Sequence, residues 1–308
     1  MKFIEVKGGK KINMKKTIIA MCMVFVLMAS LGFVVTSAKN QEQKKDKEFA
    51  FPDNAVEVSP GVFYLGKALD KGKVVEGYAF LMKKKEKFAK PGTVCDNGIC
   101  EPGENINKCP QDCSGEDPTE PDASSCYTFL AKGAKWKTVE DYIVNIYNDD
   151  GLDELFITSN LISNIDKWED AANYDILGDG SSTIETLEAD FYTTDNQNEV
   201  YFDDLGETNT IAFAVVWGIF GGPPPFRELV EWDMVFNDAF TWGGVQYNQA
   251  LMDFENIATH ELGHAVGLGD LYTDLCSEQT MYGYSSYGDT SKRDLASGDI
   301  SGIQALYG

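Results

Sequence analysis

Among the 308 residues there are only two histidines, and they stand four apart in His260-Glu261-Leu262-Gly263-His264. On a helix these positions share one face a turn apart, so both imidazoles can bind a single Zn2+. Glu261 follows the first of them and can reach a water on the metal's open position. Zinc lowers the pKa of such a water to about 7, so a carboxylate can take its proton near neutrality and later give it to a leaving amine. The pattern continues with Gly267 three residues after His264 and Asp270 three residues after that. A glycine can adopt positive φ and end the helix, letting the chain double back to deliver Asp270 as a third ligand. With no further histidine, that ligand must be a carboxylate, a cysteine or a tyrosine. Asp274 is the rival carboxylate and Cys276 the rival thiol, but only Asp270 has the short spacing that a sharp turn after the helix requires. The five-residue pattern alone also occurs on ordinary surface helices. Its extension, in a chain with no spare histidines, points to a zinc hydrolase.

The elements that must position these residues can be read from periodicity. Asp253 can cap a helix through His264 with Phe254, Ile257 and Ala258 on its apolar side. Glu140 to Tyr147 alternates as a strand. Leu152 to Ala172 reads as an amphipathic helix carrying Leu155, Ile162, Ile165 and Trp168. Thr210 to Trp217 is a near-continuous apolar strand ahead of the loop Gly221-Gly222-Pro223-Pro224-Pro225. Val230, Trp232, Met234 and Phe236 alternate with Glu231 and Asp233, as in a half-buried strand, and Ser297 can cap a last helix through Leu306. Strands and helices mixed without regular βαβ alternation give an α+β fold.

Further motifs then line up in order. Thr280-Met281-Tyr282-Gly283 follows the His–His–Asp pattern, and Leu295, Asp299-Ile300, Gly302-Ile303-Gln304 and Leu306-Tyr307-Gly308 close the chain. Val230 to Asn237 and Trp242 precede it. Over residues 126–308 the chain resembles the metzincin zinc metalloproteases of the matrixin kind. The resemblance implies a mixed twisted sheet over an active-site helix, with a Met-turn at Met281 beneath the zinc. It also implies an endopeptidase that binds extended peptides along an edge strand, for which Thr210 to Trp217 is the candidate. The pocket for the residue after the scissile bond would lie near Met281 to Tyr287. Two departures stand out. Asp270 replaces the usual histidine, as in the small snapalysin-like metzincins, and no segment resembles the cysteine switch that keeps matrixins latent.

The remaining chain divides by composition. Lysines at 10, 11, 15 and 16, an apolar run from Ile18 to Val35 and Thr36-Ser37-Ala38 make residues 1–38 a signal peptide, with an uncleaved membrane anchor as the alternative. Both place the rest of the chain outside the cytoplasm, secreted or anchored. Residues 39–94 form a small N-terminal β region that can serve as a propeptide. Cys95, Cys100, Cys109 and Cys113 define a cysteine-rich module at 95–113, read as two local disulfides against a zinc knuckle. A linker follows at 114–125, and the catalytic domain spans 126–308. Cys126 and Cys276 are the remaining pair.

The whole chain carries 26 basic and 49 acidic side chains for a net charge of −23, and residues 123–308 alone hold 7 basic against 32 acidic. Such a surface argues against a general nucleic-acid partner, and structural Ca2+, a high-salt habitat or basic substrates would each fit it. Asp96, Asn97, Glu101 and Glu104 beside glycine turns, and Asp179, Asp190, Asp203 and Asp204 further on, are the candidate calcium ligands. Tyr282, Tyr284 and Tyr287 are candidate phenols for stabilising an oxyanion. The leading reading is a secreted zinc endopeptidase. A cell-surface adhesion protein that works through the cysteine-rich module is the other reading.

Overall fold

The computed structural model describes residues 51–85 and 123–308, except 207 and 247. The leader, the cysteine-rich module and most of the linker lie outside the described residues, so the expectations made for them are not addressed by the structure.

Strands β1 (Val56–Ser59), β2 (Val62–Asp70) and β3 (Lys73–Lys84) are followed by β4 (Tyr142–Asn145), helix α1 (Glu154–Ala172), β5 (Gly180–Thr183) and β6 (Asn198–Asp203). Then come β7 (Thr210–Ile219), β8 (Glu228–Asn237) and the short pair β9 (Trp242–Gly243) and β10 (Met252–Asp253). Helix α2 (Phe254–Ala265), β11 (Tyr284–Ser285) and helix α3 (Ser297–Tyr307) complete the chain. The main sheet runs β1-β2-β3-β7-β8-β6-β4-β5, with β11 beside β3. Pairing is parallel from β5 to β8 and antiparallel from β8 through β7, β3 and β2 to β1. This is the expected α+β mixed sheet.

The three helices pack on one face of the sheet. One cluster joins Trp168 of α1, Leu262 and Ala265 of α2 and Ile303 of α3 to Met82, Ala212, Trp232 and Met234 of the sheet. The opposite face holds a smaller cluster of Leu65, Val75, Leu81, Phe213, Val215, Trp217 and Val235. Strand β7 is buried on both faces, which explains its unbroken apolar run.

Four expectations change. Thr210 to Trp217 is not an edge, because β3 pairs with β7 on the side away from β8, from Glu76 opposite Gly218 to Lys83 opposite Thr210. The N-terminal β region thus continues the catalytic sheet. In α1 the buried stripe is Ile157, Leu161, Ile165 and Trp168, whereas Leu155 is 75% and Ile162 51% exposed. Spacings of four, four and three residues put the first set on one face, and Leu155 and Ile162 fall off it. Glu231 and Asp233 of β8 are each 1% exposed, so their face of the strand is covered and not half-solvated. Helix α3 is capped by Asp299, which accepts from the Ala296 amide at 2.9 Å, and Ser297 is its first helical residue.

Candidate metal centre

Helix α2 begins where the sequence indicates. Asp253 Oδ1 accepts the Asn256 amide at 2.9 Å, and Arg293 holds the same carboxylate through Nε at 2.8 Å and an Nη at 2.6 Å. The cap is therefore itself clamped by a two-point, charge-assisted contact. The helix ends at Gly267, where φ is +109° and a Cβ would lie 2.9 Å from Leu306 Cδ2 and 3.1 Å from the Ala134 carbonyl oxygen. Conformation and space both demand glycine there. The chain then turns back so that Asp270 faces the helix.

His260, His264 and Asp270 converge. His260 Nε2 lies 3.2 Å and His264 Nε2 3.5 Å from Asp270 Oδ1, and all three side chains are at most 1% exposed. Each imidazole gives its Nδ1 to a carbonyl, Thr280 O at 2.7 Å and Leu268 O at 2.9 Å. Those bonds put the protons on Nδ1 and leave lone pairs on both Nε2 atoms. Two lone pairs and a carboxylate oxygen then meet with no donor among them, and none of the three atoms has a hydrogen-bond partner. A cation resolves this. Tetrahedral ligands about 2.0–2.1 Å from a zinc ion stand about 3.3 Å apart, the spacing seen here. Burial pushes the His260 pKa down to about 4, so it stays neutral at physiological pH.

Glu261 lies on the next position of the same helix, fully buried, and neither carboxylate oxygen has a partner. Burial, then the Asp270 charge, pushes its pKa well up. Met281 packs directly beneath the helix: a Cβ on Gly263 would collide with its Sδ. The Met281 loop is pinned by Asp299, which accepts the Thr280 amide at 2.7 Å and the Met281 amide at 3.1 Å. A disulfide joins Cys126 to Cys276 close by, so that thiol is unavailable as a ligand. Asp274 accepts the Tyr282 hydroxyl at 3.2 Å and stands apart from the imidazoles.

Tyr272 escaped the sequence reading. Its hydroxyl donates to Asp270 Oδ2 at 3.0 Å, fixing the oxygen that does not face the histidines. The available signal is a tyrosine two residues beyond Asp270, whereas the aromatic-rich stretch points to Tyr282, Tyr284 and Tyr287. Of these, Tyr282 is buried and Tyr287 is 41% exposed.

A second cluster was only partly foreseen. Asp190, Asp195 and Glu231 bring carboxylate oxygens within 4.8 Å of one another. Asp190 Oδ2 and Glu231 Oε1 are buried without a hydrogen-bond partner. Burial, with Asp190 and Asp233 adding repulsion, pushes the Glu231 pKa up to about 10. Asp233 is pushed well up for the same first reason, and it accepts the Asp190 amide at 2.8 Å. Asp179 is exposed, while Asp203 and Asp204 accept nearby backbone amides.

Comparison with known proteins places this half of the chain in a family. The Matrixin family model (Peptidase_M10) matches residues 135–308. Metalloendoproteinase 2-MMP of Arabidopsis thaliana is 30% identical over 142 residues, 46% of this chain and 34% of the relative. Human Matrilysin is 36% identical over 109 residues, 35% of this chain and 34% of the relative. Human Matrix metalloproteinase-25 is 33% identical over 119 residues, 39% of this chain and 19% of the relative. The matched part spans about a third or less of the length of each of these relatives. With the family model covering more than half of its residues, the chain belongs to the matrixin family.

Proposed function

We propose that this chain is a secreted zinc endopeptidase in which His260, His264 and Asp270 hold the metal and Glu261 is the general base. The observation that carries the reading is the meeting of three buried acceptor atoms, with Asp270 Oδ1 3.2 Å and 3.5 Å from the two Nε2 atoms and no donor among them. Zinc held there would polarise the scissile carbonyl and lower the pKa of an attacking water to about 7. Glu261 then takes the proton of that water and returns it to the amine nitrogen as the peptide bond breaks, a role for which its two unpartnered oxygens suit it. The Thr280 and Leu268 carbonyls hold the imidazoles in the ligating tautomer, and Tyr272 orients the Asp270 carboxylate. Met281 serves as the Met-turn floor. Polypeptides are the substrates.

The finer organisation follows the sequence reading: a leader at 1–38, a propeptide-like β region at 39–94, the cysteine-rich module and linker, and the catalytic domain from 126. Among the described residues no helix is long and apolar enough to cross a membrane. We assign structural calcium to Asp190, Asp195 and Glu231, where Asp190 Oδ2 and Glu231 Oε1 are buried without a hydrogen-bond partner beside the exposed Asp195. Nothing in the family comparison favours the adhesion reading, and a scaffold would have no use for a free buried base at Glu261.

The test is peptidase activity on casein or a fluorogenic peptide, measured before and after limited proteolysis within residues 86–122. Activity should be blocked by 1,10-phenanthroline. Glu261→Ala should keep near-stoichiometric zinc while losing about 10²–10⁴-fold in rate. Retained activity in that variant removes Glu261 from its role.

A further inference from the structure

The strand that displaces β7 from the sheet edge also closes the metal centre. β3 runs antiparallel beside β7, and on its other side, past the stretch paired with β2, its last residues Lys83 and Lys84 pair parallel with β11. Lys83 N donates to Gly283 O at 3.2 Å, Lys85 N to Ser285 O at 2.7 Å and Lys84 N to Asn209 O at 2.7 Å. The end of β3 is therefore bonded along both of its edges. Side chains of β3 alternate, and Phe80 and Met82 belong to the same buried cluster as α2. The Phe80 ring stacks on the His264 imidazole, with centroids 4.5 Å apart and planes 20° apart. The turn before β2 completes the cover: a Cβ on Gly61 would stand 2.8 Å from the Tyr272 hydroxyl. As a result His260, Glu261 and His264 are all 0% exposed, and no extended peptide can approach them.

We infer that the β2–β3 hairpin is an internal occupant of the peptide-binding slot, and that the chain is latent until residues 62–85 are withdrawn. This rests on the endopeptidase reading above. The occupant is a strand with no cysteine among its residues, so latency comes from backbone pairing and from Phe80 covering a ligand, with no thiolate on the metal. An extended substrate would take the same place, antiparallel to β7 and parallel to β11, once the hairpin leaves. Release has a built-in route. The hairpin connects to the catalytic domain only through residues 86–122, so one cut there turns an intramolecular strand into a dissociable one. The loss of effective concentration, about millimolar for a tethered segment, weakens the block without altering any contact.

The experiment uses the full-length zinc-loaded chain in three forms: intact, nicked within 86–122, and carrying Gly77→Val. A Cβ at Gly77 would lie 2.7 Å from the Trp217 ring, so this substitution wedges β3 off β7 without touching the metal ligands. Two properties are read besides peptidase rate: amide exchange of residues 73–84, and the rate at which 1,10-phenanthroline strips the zinc. The intact chain should show protected β3 amides, slow stripping and a peptidase rate lower by roughly a hundredfold or more than the nicked chain after dilution. Gly77→Val should move all three toward the nicked form. A synthetic peptide of residues 73–85 should restore inhibition competitively. Equal peptidase and stripping rates in intact and nicked chains, with β3 amides protected in the intact one, would overturn the inference. If no form cleaves peptide but stripping still accelerates on nicking, the occlusion stands and the endopeptidase reading falls.

Discussion

Two clusters of metal-competent side chains among the described residues differ in kind in their electrostatics. At α2, the Nε2 atoms of two imidazoles share the space with a single carboxylate, that of Asp270. At the start of β8, Asp190, Asp195 and Glu231 meet with no basic partner, and burial drives Glu231 toward its protonated form. The first centre is preorganised, with second contacts from Thr280, Leu268 and Tyr272 fixing each ligand atom. The second is held mainly by backbone amides, Asn196 N on Glu231 and Asp190 N on Asp233. Mixed nitrogen and oxygen donors suit zinc, and an all-oxygen set on a loop suits calcium. The two clusters thus differ in donor chemistry, and each calls for its own metal-binding test.

The largest expected effect separates the ligands of the first centre. Asp270→Ala should lose zinc and activity together, while Asp274→Ala keeps both, as metal analysis and peptidase assays on the purified variants will show. The opposite result would make Asp274 the ligand. A smaller effect belongs to the second centre. Calcium at a hundred times its dissociation constant should stabilise the fold by about 2.7 kcal/mol, and melting curves should rise by about 5–10 °C for a domain of this size. Glu231→Gln should abolish that response and raise the stability of the calcium-free chain. The sign follows from linkage: a carboxyl whose folded pKa is raised from 4.5 to about 10 contributes stability at low pH that is lost as pH climbs. The advantage of Glu231→Gln without calcium should therefore grow above about pH 4.5, and a pH-independent difference would remove the buried carboxylate as its cause. The smallest effect is that of Tyr272→Phe. Losing one hydrogen bond to the outer oxygen of Asp270 should weaken zinc affinity by about 10–100-fold with ligand identity intact. Competition with a fluorescent chelator measures it, and unchanged affinity would show that Asp270 is positioned by the turn alone.

The convergence of these side chains was legible in sequence because its parts are local. His260, Glu261, His264, Gly267 and Asp270 fall within eleven residues, and helix geometry with one glycine turn converts that order into a site. The helices and strands of the catalytic half were legible for a similar reason, through their periodicity. What escaped depends on pairing between distant segments. Nothing in Lys73 to Lys84 announces that it will lie beside Thr210 to Ile219, so β7 read as an edge. Glu231 and Asp233 alternate with apolar neighbours as solvated residues would, and only the loop carrying Asp190 and Asp195 buries them. Tyr272 is one of 14 tyrosines, and its hydroxyl gains meaning only when the chain has doubled back.

Asp299 carries a consequence for the order of assembly. One carboxylate starts the last helix and also fixes the amides of Thr280 and Met281, whose loop orients His260 and floors the helix at Gly263. All three ligands precede it in the chain, yet their geometry is not set until it arrives. A growing polypeptide that has emerged only as far as Asp270 holds every donor atom and no centre. Closing of the His260 contact therefore waits on the folding back of the segment around Asp299, about thirty residues beyond the last of the converging side chains.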